Sequence, residues 1–309
     1  MLKKILITDN TDILLQKGLE NLGFEVGTRP NITADELWDS LPQYFGLIVG
    51  GKIPFGRAFF ERGKKLAFVG RLGSGLEIFD LSAAAEFGVT VINSPEGNAN
   101  AVAEHALGQL LALMRHLRRA DMEVRTHTWL REANRGTEVA AQTVGIVGFG
   151  NTGRAFARLL QGFGCRVLAY DAFCNHFSDT FGAELCSLSK LKAEATVLSF
   201  HIPQAPENEN FFDLNFLEEM EKPFFLLNTS RGAVCCRRAI AEGLNTRKIH
   251  AAALDVLPQE PPVADDLHQQ LLSFDNIIFS PHIAGWTIEA KHKMAAVLLE
   301  KITTTLNLK

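Results

Sequence analysis

Apolar and polar positions follow two rhythms along this chain. Short runs rich in Val, Ile and Leu recur, among them "KILIT" (4–8), "GLIVG" (46–50), "LAFVG" (66–70) and "VTVIN" (89–93). Runs of this length read as strands buried on both faces of a parallel sheet. Between them lie stretches with apolar residues three and four apart, such as 12–22 and 81–87, which predict amphipathic helices. The alternation resumes at Thr143, with strands predicted over 143–148, 166–170, 195–200, 223–228, 249–254 and 276–279. A strand–helix rhythm of this kind is the signature of an α/β fold with parallel sheets.

A longer pattern separates the two runs. Val102, Ala106, Leu107, Leu110, Leu111, Leu113, Met114 and Leu117 fall at helical spacing and predict one helix over 98–122. The segment 126–142 is polar and irregular, and Trp129 within it reads as a packing anchor. A last helix is predicted over 287–305 from Ala290, Met294, Val297, Leu298 and Ile302. The chain shows no internal repeat beyond the shared strand–helix rhythm.

Composition narrows the function classes. The chain has 309 residues, enough for two ordinary domains, with 47% hydrophobic and 21% charged residues. A formal net charge of -4 argues against a nucleic-acid partner. The longest apolar stretch, 99–117, is interrupted by Glu104, His105, Gln109 and Arg115, so no membrane span is expected. The first residues lack the pattern of a secretory signal. The 5 cysteines include no CxxC pair, and the adjacent Cys235 and Cys236 suit neither a disulfide nor a zinc site. The expectation is reduced thiols in a cytoplasmic protein, with no metal.

The segment "VGIVGFGNTG" (144–153) places Gly148, Gly150 and Gly153 in G-x-G-x-x-G spacing, after a predicted strand and opening a predicted helix. The first glycine permits the tight turn, the second lets backbone approach a pyrophosphate, and the third lets helix pack on strand. Asn151 and Thr152 begin the helix, whose N-terminal N–H groups suit phosphate. A second strand ends at Asp171, near the spacing at which an acid takes ribose hydroxyls. A carboxylate there repels a 2′-phosphate, and "AFCN" after it offers no arginine, so NAD is favoured over NADP.

Three later strands end on chemically coherent groups. "FFLLNTSRGAV" presents Arg231, "HAAALDVLPQEPP" presents Asp255 and then Glu260, and "NIIFSPHIAGW" presents His282. Ligands of open α/β sheets bind outside the carboxyl ends of the strands. A keto acid accepting hydride needs a cation for its carboxylate and C2 oxygen, which Arg231 offers. It also needs a proton, which His282 offers, with Glu260 fixing the imidazole tautomer and favouring its charged form.

These motifs together resemble the NAD-dependent D-isomer-specific 2-hydroxyacid dehydrogenases. The resemblance runs through "RLGSGLEIFDL", "NSPEGNANAVAEHALG", the glycine turn, "NTSRG", "ALDVLPQEP" and "SPHIAG". It implies two doubly wound parallel-sheet domains. A flavodoxin-like substrate domain (1–100 and 286–309) would receive an inserted Rossmann NAD-binding domain (101–285). It implies Arg231, Glu260 and His282 as catalytic residues and Asp255 on the nicotinamide carboxamide, with Thr229 a further cofactor contact. It gives Gly73, Ser74 and Gly75 the substrate carboxylate, and it implies a homodimer through the long helix and the Trp129 segment.

The chain departs from the family pattern in places. "LEIFD" stands where Asp-Asn-Ile-Asp is usual, "ENENFF" where threonines are common, and Cys235, Cys236, Arg237 and Arg238 where an acid is common. Lys52 and Arg71, each after a strand, would suit a phosphorylated acid such as 3-phosphoglycerate, although Lys52 reads equally as a surface charge. Hydroxypyruvate or glyoxylate reduction, and a non-catalytic NAD-sensing corepressor or scaffold, stand as alternatives. With no further domain after Lys309, feedback through a regulatory domain is not expected.

Overall fold

Apolar runs become strands because each of their residues finds a packed face. The structure, a computed structural model, describes residues 2–173, 176 and 179–307. Cys174 and Asn175 of the segment after Asp171 lie outside the described residues. The described chain forms two compact units, residues 1–99 with 286–309, and residues 100–285.

The first unit holds strands β1 (Lys4–Ile7), β2 (Glu25–Thr28), β3 (Gly46–Val49), β4 (Phe68–Arg71) and β5 (Thr90–Asn93). They pair in the order β2-β1-β3-β4-β5, all parallel. Helices α1 (Ile13–Asn21), α2 (Ala34–Ser40), α3 (Arg57–Arg62) and α4 (Leu81–Glu86) connect them. The two-residue period of β1 divides the core. Ile5 and Ile7 pack with Leu15, Leu19 and Phe68 on one face, and Leu6 packs with Leu47, Phe55 and Phe60 on the other. Side-chain caps set the helix starts: Asp12 accepts from the Leu14 N–H, Asp80 from the Ala83 N–H, and Thr33 forms a capping box with Glu36. The last helix, Ile288–Thr305, adds Ala295, Leu298 and Ile302 to the Ile5/Ile7 face.

Helix α5 (Pro95–Met114) carries the chain into the second unit, and α6 (Leu117–Arg125) follows. The single helix expected over 98–122 is therefore two. It begins earlier, with Pro95 at its first turn, where a missing N–H costs nothing. It breaks at His116, whose φ of 51 is left-handed.

The second unit holds β6 (Thr143–Val147), β7 (Arg166–Tyr170), β8 (Glu184–Leu185), β9 (Val197–Phe200), β10 (Phe224–Asn228), β11 (Ile249–Leu254) and β12 (Ile277–Phe279). They form a parallel sheet in the order β12-β11-β10-β9-β6-β7-β8. Helices α7 (Asn151–Leu160), α8 (Leu188–Glu194), α9 (Leu214–Glu219), α10 (Arg237–Asn245) and α11 (Asp266–Leu272) connect the strands, and the helix at Ile288–Thr305 is α12. Phe224 and Leu226 face one core, Phe225 and Leu227 the other, where Ala103, Ala106 and Leu110 of α5 also pack. Trp129 is 75% exposed within the chain, so it anchors no core here. It belongs with exposed Leu117, Met122, Val124 and Leu130 to an apolar stretch on α6 and the segment after it.

Candidate active site

Because every strand of the second sheet runs parallel, all their carboxyl ends share one edge. In sheet order that edge carries His282 after β12, Asp255 after β11, Thr229 and Arg231 after β10, His201 after β9, the glycine turn after β6 and Asp171 after β7. Four strand intervals of roughly 4.8 Å separate β12 from β6, or about 19 Å of edge. The edge reverses at β9/β6, the topological switch where such sheets take ligands.

The glycine turn is dictated by backbone. Gly148 has φ +91, and a Cβ there would lie 2.8 Å from the His201 carbonyl. A Cβ at Gly153 would lie 2.1 Å from the Gly148 oxygen. A Cβ at Gly150 would meet no protein atom within 4 Å, which leaves a cradle for a phosphate. The first N–H groups of α7, at Asn151, Thr152 and Gly153, have no carbonyl a turn behind them, the arrangement at a helix start that suits phosphate. The Asp171 carboxylate accepts from the Phe149 N–H at 2.8 Å and the Phe173 N–H at 3.0 Å, so this acid clamps the turn.

Thr229 Oγ1 is buried and has no hydrogen-bond partner among the described residues, an orphan that a bound group would satisfy. The open space at Gly150, the first turn of α7, the acid and the orphaned hydroxyl all fit a dinucleotide. Among the described residues no group of three or more His, Cys, Asp or Glu side chains could hold a metal ion.

The end of the edge after β11 and β12 is built from side chains. His282 has φ 54, left-handed for a residue with a Cβ. Its Nδ1 lies 2.6 Å from Glu260 Oε2, and Glu260 Oε1 accepts from the Leu257 N–H at 3.0 Å. With Nδ1 facing the carboxylate, Nε2 is left to meet a substrate. Asn228, at the tip of β10, shapes the arginine turn: its amide donates to the Arg231 carbonyl and its oxygen accepts from the Ser230 N–H and hydroxyl. Arg231 Nη1 donates to the Ser230 carbonyl at 2.7 Å. Asp255 is 1% exposed and accepts from Ser280, Ile283 and Ala284, which places it beneath the His282 loop.

Sequence reasoning passed over Asn228 and His201. His201 is half-buried, with Nε2 on the Ser199 hydroxyl at 2.9 Å and Nδ1 on the Thr152 hydroxyl at 3.2 Å. Burial pushes its imidazole down to about 4. Its signal was present in "FHIPQAP", a polar residue one place beyond an apolar strand.

In the first unit the "RLGSG" loop follows β4. The Gly73 N–H is spent on the Arg71 carbonyl at 3.0 Å and the Ser94 hydroxyl at 3.3 Å. No backbone hydrogen bond engages the Ser74 or Gly75 N–H among the described residues. Arg71 Nη1 donates to the Leu72 carbonyl at 2.7 Å, and the guanidinium packs over Gly51 and Gly73. Lys52 is 71% exposed at the side chain and lies 3.6 Å from Asp9, whose carboxylate also takes the Gly50 N–H at 2.6 Å.

An edge of this kind defines a dinucleotide-binding α/β protein with a paired histidine and glutamate at one end. Residues 107–284 match the D-isomer specific 2-hydroxyacid dehydrogenase, NAD binding domain. The chain is 34% identical over 306 residues to the D-3-phosphoglycerate dehydrogenase of Synechocystis sp., covering 98% of this chain and 54% of that one. It is 33% identical over 275 residues to the hydroxypyruvate reductase of Thermotoga maritima, covering 89% of each. Among solved structures, a D-lactate dehydrogenase from Treponema pallidum superposes with a TM-score of 0.81 at 25% identity, covering 99% of this chain and 97% of that one. The chain spans about half the length of the phosphoglycerate dehydrogenases it matches, 54%, 53% and 57% for three of them. The chain belongs to the D-isomer specific 2-hydroxyacid dehydrogenase family, and its cofactor is NAD. No helix among the described residues is long and apolar enough to cross a membrane.

Proposed function

We propose that this protein interconverts a D-2-hydroxy acid and its 2-keto acid, with Arg231, Glu260 and His282 as the reacting groups. The observation that carries the reading is the 2.6 Å contact of His282 Nδ1 with Glu260, on the sheet edge that bears the glycine turn. Gly148, Gly150, Asn151, Thr152, Gly153, Asp171 and Thr229 hold NAD. The reduced nicotinamide supplies a hydride, two electrons and one proton, to C2 of the keto acid. Arg231 polarises the C2 oxygen and pairs with the carboxylate. His282 Nε2 gives that oxygen its proton, and Glu260 holds the ring and balances its charge before the transfer. Within the first unit, the Ser74 and Gly75 N–H groups are suited to a carboxylate.

Relatives named D-3-phosphoglycerate dehydrogenase favour 3-phosphoglycerate, with Lys52 and Arg71 toward the phosphate. The Lys52–Asp9 pair favours a second reading, hydroxypyruvate or glyoxylate, because Asp9 offsets the Lys52 charge. Steady-state NADH oxidation with phosphorylated and unphosphorylated 2-keto acids separates the two by their kcat/KM ratio. His282→Ala should lower kcat by roughly 10²–10⁴ while NADH still binds. Tight NADH binding with no turnover on any keto acid would favour the NAD-sensing scaffold instead.

The apolar stretch of Leu117, Met122, Val124, Trp129 and Leu130 supports a homodimer, to be checked by light scattering of the chain and of Trp129→Glu. The free thiols of Cys165, Cys186, Cys235 and Cys236 suit the cytoplasm.

A further inference from the structure

We propose that Ser280, fixed by Asp255 from below and by His105 and Gln109 of α5, is a positioning residue for His282. The proposal rests on His282 being the proton donor. The Ser280 hydroxyl has one proton and two lone pairs. Asp255 Oδ1 takes the proton. Gln109 Nε2 at 3.1 Å and His105 Nε2 at 3.0 Å supply the lone pairs with donors. Every capacity of the hydroxyl is used, which puts the ring proton of His105 on Nε2, also 3.5 Å from Asp255.

Asp255 holds the same loop at further points. Beyond Ser280, Oδ1 accepts from the Ile283 N–H at 3.0 Å and Oδ2 from the Ala284 N–H at 2.8 Å, while its carbonyl accepts from the His282 N–H at 2.7 Å. Side chain and main chain of one buried residue thus hold residues 280 to 284 as a turn around it. That turn keeps His282 at φ 54, a conformation that persists only where its surroundings over-determine it. The grip reaches across the sequence from β11 to the helix that enters the unit, 175 residues from Ser280 to His105.

The test uses the full chain with NADH bound, comparing wild type with Ser280→Ala, Ser280→Thr and Asp255→Asn. Loss of the hydroxyl lets the imidazole shift against Glu260, and a misplacement near 1 Å costs roughly 10²-fold in rate. Ser280→Ala should therefore lower kcat about 10- to 100-fold, with the keto-acid KM and NADH dissociation constant changed about twofold at most. Ser280→Thr, which keeps the hydroxyl, should restore kcat.

Hydrogen–deuterium exchange at the 282–284 amides should quicken in Ser280→Ala and Asp255→Asn, and this readout needs no turnover. Unchanged exchange in Ser280→Ala overturns the clasp. So does a loss of kcat that threonine fails to rescue. Unchanged exchange in Asp255→Asn likewise overturns it. If wild type turns over no keto acid while exchange quickens as stated, the dehydrogenase reading fails and the clasp stands.

Discussion

Two loops on one sheet edge are built by opposite means. The turn after β6 is made of backbone: two of its three glycines sit where a Cβ would strike a carbonyl carbon or oxygen. The loop after β12 is made of side chains, with Asp255, Ser280, His105 and Gln109 setting the path of residues 280–284. The first binds with main-chain groups that cannot titrate. The second presents a titratable ring and needs partners to aim it. A backbone-made turn is broken by adding a methyl group, whereas a side-chain-made loop is loosened by removing one.

The largest effect should follow from the tightest contact. Gly153→Ala sets a Cβ against the Gly148 oxygen, so the second unit should lose about 3 kcal/mol or more in denaturant unfolding, and NADH binding with it. Retention of full stability would show that the turn yields more easily than its backbone implies.

Besides Asp171, the turn is supported by the His201 side chain, and acid should reveal that support. Burial depresses the His201 imidazole to about 4, while the unfolded chain takes up a proton near 6.5. The unfolded state binds more protons between these values. The stability from neutral His201 is therefore complete above pH 6.5 and is lost as pH falls toward 4, on the order of 3 kcal/mol. Unfolding curves at pH 7, 5.5 and 4 check this, and His201→Gln should flatten the acid loss of the second unit.

Gly150→Ala separates binding from folding. No protein atom lies within 4 Å of its Cβ position, so the melting temperature should hold while the NADH dissociation constant rises about tenfold or more, some 1.4 kcal/mol. A shift in melting temperature with unchanged affinity would place the phosphates elsewhere. The smallest effect concerns selectivity. Asp171→Ala should narrow the preference for NADH over NADPH by several-fold, measured as the ratio of kcat/KM, and a wild type that prefers NADPH would contradict the role of this acid.

The same contrast explains what could be read from the sequence. Strands with unbroken apolar runs were legible, since burial on both faces demands them. β2, with the sequence "EVGT" and mostly exposed residues, was passed over because an edge strand needs no such run. The break at His116 was invisible to periodicity, because Leu117 continues the apolar spacing across it. Gly73 looked like a ligand-binding amide by motif, yet its N–H closes its own loop. Ser280 and His105 stand inside recognisable motifs, "SPHIAG" and "VAEHALG", but nothing in either motif says that they touch.

By itself the sequence determined the two strand–helix runs, the glycine turn and the acid that follows the next strand. These follow from local rules: residue period, glycine geometry and the spacing of an acid after a strand. Only the tertiary structure decided which lone pairs remain for a ligand, because a hydrogen bond made with a residue 25 or 175 positions away removes a group from service without leaving a mark in the sequence around it.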